Sequence, residues 1–315
     1  MIINSHVHFN TSNNFFFYSN YTIKRFIKEL DENKIDIALP SLNPKIGEFR
    51  CPKDCSYSCE KYNYNINNDL QNCNCQNMHR HRGVVESYNG GYRLRCKVCD
   101  EIIIRQKEDP LRKYNIELMR QTAKYGSRIK PLLYISLCKS TIQKEIAFYE
   151  KNFKGLYCGY KFHPWTDQVS IRDFVVETSL PMLIHTGLRE CELAEDAVHF
   201  AKAHPNNKVV IAHAAQLKQK LLETISESCN MYLDCCPADF LYRNRESCFE
   251  DYSKINSPED VFYYALNVVD SKRIMFGTDS PWGSSKKELD IISKLSVSDE
   301  VRENILYRTA QEVYL

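Results

Sequence analysis

Apolar runs alternate with amphipathic stretches along most of the chain. The opening run Met1-Ile-Ile leads through Asn4 and Ser5 into His6-Val7-His8-Phe9. Successive strand side chains point to opposite faces, so His6 and His8 emerge together while Val7 packs on the other side. Polar Thr11 to Asn14 and aromatic Phe15 to Tyr18 read as a loop. Thr22 to Leu30 carries Ile23, Phe26, Ile27 and Leu30 on one helical face, and Lys34 to Leu42 is a short apolar strand. Alternation resumes at Asp109-Pro110 with a helix to about Tyr125, a strand over 129–137 and a helix over 142–152. A strand over 155–163, a helix over 171–178 and a strand over 181–185 follow. Next come a helix over 194–203, a strand over 208–213, a helix over 217–226 and a strand over 230–234. Helices around 258–269 and 301–314 flank the last strand, 273–278.

The pattern predicts eight strands with helices between them, an α/β chain. Eight strand-helix units favour a closed (β/α)8 TIM barrel over an open doubly wound sheet. No Gly-rich phosphate fingerprint follows a strand, which weakens a nucleotide-binding reading. In a barrel, active-site residues belong at the C-terminal ends of strands.

Residues 43–108 break the rhythm: they are polar and rich in Asn, Tyr and Cys. A structureless loop rarely exceeds ~12–15 residues, so this insertion after the second strand must carry its own structure. The predicted domains are a barrel, residues 1–42 and 109–315, and a Cys-rich insertion, residues 43–108. Of 14 cysteines, Cys51, Cys55, Cys59, Cys73, Cys75, Cys96 and Cys99 fall within 49 residues. Cys96-x-x-Cys99 reads like one knuckle of a zinc ribbon, and His79 and His81 bring the candidate ligands to nine. So short and polar a segment buries little core, so structural zinc would supply its folding energy.

Composition narrows the partners. At 315 residues and 43% hydrophobic content the chain supports a large core, and a net charge of +2 gives no electrostatic footprint for nucleic acid or an anionic membrane. No apolar run approaches the ~18–20 residues that span a bilayer, and polar Asn4, Ser5 and His6 interrupt the opening run, so no signal peptide is read. The expectations are a cytoplasmic protein with a small-molecule substrate and no membrane partner, with a nucleic-acid partner disfavoured and a homo-oligomer left open. In that compartment the cysteines should be thiols or metal ligands.

Polar residues close the apolar runs: His6 and His8 on the first strand, Lys161 and His163 on the fourth, His185 on the fifth, His213 on the sixth and Asp279 on the eighth. With the His-x-His, the two later histidines and Gly277-Thr-Asp-Ser-Pro281, the chain resembles the amidohydrolase superfamily of metal-dependent barrels. It is most similar to the amidohydrolase-2 group, which also contains decarboxylases related to the aminocarboxymuconate semialdehyde enzyme. The resemblance implies that His6, His8, Asp279 and His185 ligate a divalent metal, with zinc favoured and one or two ions. It also implies that His213 is a ligand or a partner of the reacting group. Such a metal lowers the pKa of bound water from ~15.7 towards ~7. Asp279 can then take the proton of that water and deliver it to the leaving group.

Lys161-Phe-His-Pro is similar to the strand-4 Lys-Leu-Tyr-Pro of dihydroorotases, where the lysine is carbamylated and bridges two metals. The alternative is an ammonium that orients an anionic substrate, with His163 nearby. Asn4 stands where the family is often acidic, and the seventh strand ends in Asp234-Cys235-Cys236, whose thiols should face the mouth as small buried groups. Trp165, Trp282, Arg189, Arg243 and Arg245 are expected in loops around the mouth, where an arginine can hold a carboxylate. The expected function is hydrolysis of an amide, ester or lactone bond, with non-oxidative decarboxylation as the alternative. A TatD-like nuclease, another His-x-His family, is disfavoured by the balanced charge and by a missing strand-end glutamate.

Overall fold

The computed structural model describes residues 1–8, 23–42, 111–137, 141–167, 169–249 and 252–315, together with the backbone of five strands between residues 58 and 106. Eight strands form one parallel sheet: β1 (Ile3–His8), β2 (Ile37–Ser41), β3 (Leu132–Tyr134), β4 (Gly159–Phe162), β5 (Met182–Ile184), β6 (Val209–Ile211), β7 (Met231–Asp234) and β8 (Ile274–Met275). The ring is joined between first and last strands by hydrogen bonds from Ser5 N to Phe276 O, 3.0 Å, and from Thr278 N to His6 O, 2.9 Å. A parallel bridge pairs Val7 with Ser280. All eight strand positions match the apolar runs, most of them shortened, and the architecture is that of a (β/α)8 barrel.

Two buried layers follow from strand alternation. Ile3, Leu39, Leu132, Leu183, Val210 and Met275 fill the barrel interior, stoppered at the N-terminal end by Ala310, Val313 and Tyr314 of the last helix. Val7, Leu133, Tyr160, Phe162, Ile184 and Leu233 face outwards onto Phe26, Ile146, Phe200 and Phe262 of the surrounding helices. Ile3 and Val7 would share a face on a regular strand. A bulge between Asn4 and Val7, where β1 spends one more residue than β2, puts them in different layers. That extra residue lets β1 begin in the apolar interior and still end with both histidines pointing inwards.

The helices are α1 (Ile23–Glu32), α2 (Arg112–Ala123), α3 (Ile142–Asn152), α4 (Pro164–Asp167), α5 (Ala194–Ala203), α6 (Gln219–Glu227), α7 (Ala238–Arg243), α8 (Arg245–Cys248), α9 (Pro258–Leu266), α10 (Ser285–Lys294), α11 (Asp299–Glu303) and α12 (Thr309–Tyr314). A π-helical turn, Asn304–Arg308, joins the last two into the helix expected over 301–314. The helix expected over 171–178 does not form. Its backbone is claimed by neighbouring side chains: Val176 N donates to His204 Nε2 at 3.0 Å, Glu177 N to Gln143 Oε1 at 2.9 Å, and Gln143 Nε2 to Glu177 O at 2.8 Å. Four helices, α4, α7, α8 and α10, have no counterpart in the periodicity; α8 spans a single turn. The short α4 and α7 have too few turns for a periodicity to show, and in α10 only Ile291 and Ile292 bury large apolar side chains.

Helix α10 supplies an unusual cap. The Glu288 carboxylate is buried and accepts from Ala238 N at 2.9 Å and Asp239 N at 3.4 Å, the orphan donors that open α7. Burial outweighs those bonds and pushes its pKa up to about 8. A carboxyl raised in the folded state contributes stability that is complete below its unfolded pKa and is lost as pH climbs towards 8. Glu288→Gln is therefore expected to melt near wild type at pH 5 and roughly 3 °C or more above it at pH 8. Parallel thermal scans at the two pH values check this, and a constant offset would be inconsistent with it.

In the insertion, Gly83–Tyr88, Gly91–Cys96 and Ile102–Gln106 form an antiparallel three-stranded sheet, and Ser58–Cys59 pairs with Tyr64–Asn65. The strand Gly83–Tyr88 passes beside α4, which follows β4. The expected loop over Thr11 to Tyr18, and Cys51, Cys55, Cys73, Cys75, Cys99, His79 and His81, lie outside the described residues; Cys59 and Cys96 are described in backbone only.

Candidate active site

The barrel interior turns polar at the C-terminal ends of the strands. His6 and His8, both buried, reach the mouth from β1, and each ring is held through Nδ1. Asp234 Oδ2 lies 2.9 Å from His6 Nδ1; the carbonyl and Oγ of Ser41 lie 3.3 and 3.0 Å from His8 Nδ1. Anchoring Nδ1 directs Nε2 inwards, the device by which an outer partner fixes a ligating histidine. Both Nε2 atoms approach Asp279 Oδ1, at 3.3 Å from His6 and 3.0 Å from His8. Asp279 sits at φ 51°, a left-handed conformation that Asp and Asn tolerate better than most residues.

This trio fits a divalent ion. His6, His8 and Asp279 each turn one ligand atom to a common point, and two imidazoles with one carboxylate suit zinc or another first-row metal. Burial pushes the His6 pKa down to about 3, helped by the Lys161 ammonium, and burial lowers His8 as well, so both keep a free lone pair at neutral pH. Burial opposes ionisation of Asp279, yet its histidine neighbours hold the carboxyl well below the usual range.

Lys161 joins them from β4. It is fully buried, its Nζ stands 2.8 Å from His6 Nε2, and burial brings its pKa down to about 8 against the pull of Asp279 and Asp234. His163, two residues on, accepts from Thr166 N at 3.3 Å and stacks on His185 with ring centroids 3.8 Å apart. His185 stands outside the ion-holding trio. Its Nδ1 is 3.0 Å from His213 Nε2 and its Nε2 is 3.1 Å from Glu192 Oε2. His213 Nδ1 donates to Cys236 O at 2.6 Å, leaving its Nε2 to accept. Burial pushes the His185 pKa down to about 4.

Two carboxylates escaped the sequence reading. Asp234 is buried and ties strands together: besides His6 it receives His213 N and Cys236 N, both at 3.2 Å, and the Cys236 thiol at 3.1 Å. The signal that marked the histidines, a polar residue closing an apolar run, marks Asp234 too. With His6, His213 and Cys236 it forms a second group of potential ligand atoms, but its carboxylate is spent on hydrogen bonds behind the rings. Glu192 closes a single 3-10 turn, Glu190–Glu192, too short for a periodicity to point to it. Its placement depends on Gly187, because a Cβ there would overlap the Glu192 carboxylate. Cys235 and Cys236 are both buried, with thiol pKa values pushed well up by burial. Asn4 bonds to Thr278 Oγ1 at 2.9 Å and so pins β1 to the end of β8.

A cavity of about 420 Å³ opens above this cluster, lined among others by His163, His185, His213, Asp279, Trp165 and Trp282. Leu188, Pro237, Phe240 and Leu241 make most of its wall apolar. Trp282 meets His8 edge to face at 5.3 Å, and the Arg189 guanidinium lies 4.8 Å over the Trp165 ring. Arg243 and Arg245 are not in mouth loops as expected. They ride on α7 and α8, Arg243 paired with Asp239 at 2.9 Å and Arg245 stacked 4.9 Å over Tyr242, because Glu288 caps that segment into a helix.

Strand β6 delivers one more wall residue by an uncommon route. His213, Ala214, Ala215, Gln216 and Leu217 all have φ between 48° and 59° and are all buried. A non-glycine residue costs about 1–2 kcal/mol in that region, so surrounding packing must hold the turn. It leaves both His213 and Gln216 on the cavity. Gln216 Oε1 and Nε2 are buried and meet no hydrogen-bond partner among the described residues, a cost of roughly 1–3 kcal/mol for each group.

No curated protein sequence matches the chain. Among solved structures, 5-carboxyvanillate decarboxylase from Sphingomonas paucimobilis superposes with a TM-score of 0.60 at 10% identity, covering 99% of this chain and 98% of the other. Dihydroxybenzoic acid decarboxylase from Polaromonas sp., solved with manganese and 2-nitroresorcinol, gives 0.58 at 13% identity and covers 99% and 96%. A Pseudomonas putida protein assigned as 2-pyrone-4,6-dicarboxylic acid hydrolase gives 0.55 at 13% identity, also covering 99% and 96%. At these identities the likeness is one of fold. The amidohydrolase family model matches residues 152–315, which carry β4 to β8 and with them Lys161, His185, His213 and Asp279. That match spans more than half of the chain: the protein belongs to the amidohydrolase family and is an enzyme of the amidohydrolase superfamily.

Proposed function

We propose that this enzyme is a metal-dependent hydrolase that directs an activated water onto a small-molecule amide, ester or lactone bond. The observation that carries the reading is the convergence of His6 Nε2 and His8 Nε2 on Asp279 Oδ1 at the floor of an apolar cavity. His6, His8 and Asp279 would hold the ion, with His185 and His213 beside them. A divalent ion there supplies Lewis acidity, polarising a carbonyl and acidifying water. Asp279, ionised and facing the cavity, accepts the proton of the attacking water and delivers it to the leaving group. His213, fixed in one tautomer by Cys236 O, keeps Nε2 as an acceptor beside the reacting group, where His185 Nδ1 meets it. Trp165, Trp282 and His163 wall the substrate in, and Arg189 at the rim orients an anionic end.

A second reading, non-oxidative decarboxylation with the same residues, draws on that arginine and on the neighbouring structures named as decarboxylases. In either case the insertion acts as a zinc-stiffened module beside the mouth, a placement supported by the strand Gly83–Tyr88 running beside α4.

Metal analysis combined with product analysis tests the reading. The chain should bind a barrel ion and a separate structural zinc. Chelation should abolish turnover of an amide, ester or lactone panel, and added metal should restore it. In a Cys96→Ser/Cys99→Ser variant the zinc should leave while the barrel ion stays. Release of carbon dioxide from a carboxylate substrate, with no hydrolysis across the panel, would replace the first reading with the second.

A further inference from the structure

The cavity contains a side chain whose polar atoms meet no partner among the described residues. Gln216 is 4% exposed, shares the cavity wall with His185, His213 and Asp279, and leaves Oε1 and Nε2 unpaired among the described residues. Most buried polar side-chain atoms in folded proteins are paired. A methionine would fill the same wall without burying an amide. The protein instead places a carboxamide at the end of a left-handed turn, next to the reacting groups.

We propose that Gln216 is a specificity-determining residue that pairs with the edge of a cyclic amide, a lactam, imide or ureide. A glutamine carboxamide offers an acceptor and a donor in one plane. Its complement is a carbonyl oxygen and an N–H side by side, the ring N–H donating to Oε1 and Nε2–H donating to the ring carbonyl. Open-chain secondary amides are trans and turn these two groups to opposite edges. A small ring forces the cis arrangement and brings them together. The walls agree with this choice: Trp165, Trp282, Pro237 and Leu241 suit a flat neutral ring, and a neutral amide is desolvated at far lower cost than a carboxylate.

The assignment of chemistry rests on the hydrolase reading. Opening such a ring consumes one water: its oxygen bonds to the carbonyl carbon, the C–N bond breaks, and the nitrogen takes a proton. The binding claim is testable without turnover, because both of the chain's tryptophans, Trp165 and Trp282, line the cavity and report occupancy.

Glutarimide and N-methylglutarimide, titrated into the full chain by calorimetry with tryptophan emission followed in parallel, provide the test. Glutarimide should bind saturably, and the N-methyl compound, which lacks the donor, about tenfold or more weaker, equivalent to ~1.4 kcal/mol. Gln216→Met should bind glutarimide as weakly as wild type binds the methylated ring. Gln216→Glu, an acceptor without a donor, should lose affinity similarly and gives a second variant. The methylation comparison uses the unmodified protein and so does not depend on how either variant folds. Equal affinity for the two imides, unchanged affinity in a folded Gln216→Met, or no saturable binding would overturn the proposal. Salicylate binding more tightly than glutarimide in a Gln216-dependent way would overturn it in favour of a hydroxycarboxylate. Glutarimide bound through Gln216 but never opened by the metal-loaded enzyme would count against the hydrolase reading alone.

Discussion

Asp279→Asn is expected to lower turnover by about 10³-fold or more while leaving the fold nearly unchanged. The substitution removes the anionic member of the trio and the proton acceptor in one step, since an amide neither balances an ion's charge nor takes up a proton at neutral pH. The backbone should not object: Asn accepts the left-handed φ of 51° at this position as readily as Asp. Burial keeps His6 and His8 neutral with or without their carboxylate partner, so the one buried cation beside the trio that loses support is the Lys161 ammonium, whose pKa should fall further in the variant while Asp234 still faces it. Barrel metal content and turnover should fall together, with circular dichroism and melting temperature close to wild type. Wild-type turnover in the variant would rule out the role assigned to Asp279.

Lys161→Met should move stability and activity in opposite directions. Burial lowers the folded pKa of this lysine from 10.5 to about 8, so at pH 7 its ammonium is held at a penalty of roughly 3 kcal/mol, about 1.4 kcal/mol per unit. For a base lowered on folding, the penalty is complete below about pH 8 and fades as pH approaches 10.5. A methionine of similar length removes it, and a gain of several degrees in melting temperature is expected at pH 7, shrinking towards pH 10. Activity should drop by at least about tenfold, the usual cost of relaxing a strained functional site. Ion content decides what the lysine does. An unchanged barrel ion identifies an ammonium that orients an anionic group, while loss of one ion, with activity restored by bicarbonate or a short carboxylic acid, identifies a bridging carbamate. A variant no more stable than wild type would show that the amine is less penalised than its burial implies.

Much of the fold was legible along the chain because a barrel repeats one simple unit. Each strand is an apolar run that ends in a polar residue at the mouth, and that signature placed β1 to β8 and singled out His6, His8, Lys161, His185, His213 and Asp279 before any contact was known. The same rule applied to Met231-Tyr-Leu-Asp234 would have identified Asp234, had its two neighbouring cysteines not drawn the reading. Local pattern failed where distant groups decide the backbone. Residues 171–178 look helical, but His204 and Gln143 take their amides. Helix α7 begins where Glu288, 50 residues further along, caps it. The chemistry of the mouth lies equally beyond periodicity. Glu192 reaches His185 from a single 3-10 turn because Gly187 leaves it room, the β1 bulge turns both histidines inwards, and Gln216 meets the cavity through a run of left-handed residues that contains no glycine. Burial and hydrogen-bond satisfaction are properties of the closed barrel. Which polar groups remain unpaired beside the mouth is settled when the strands close around them.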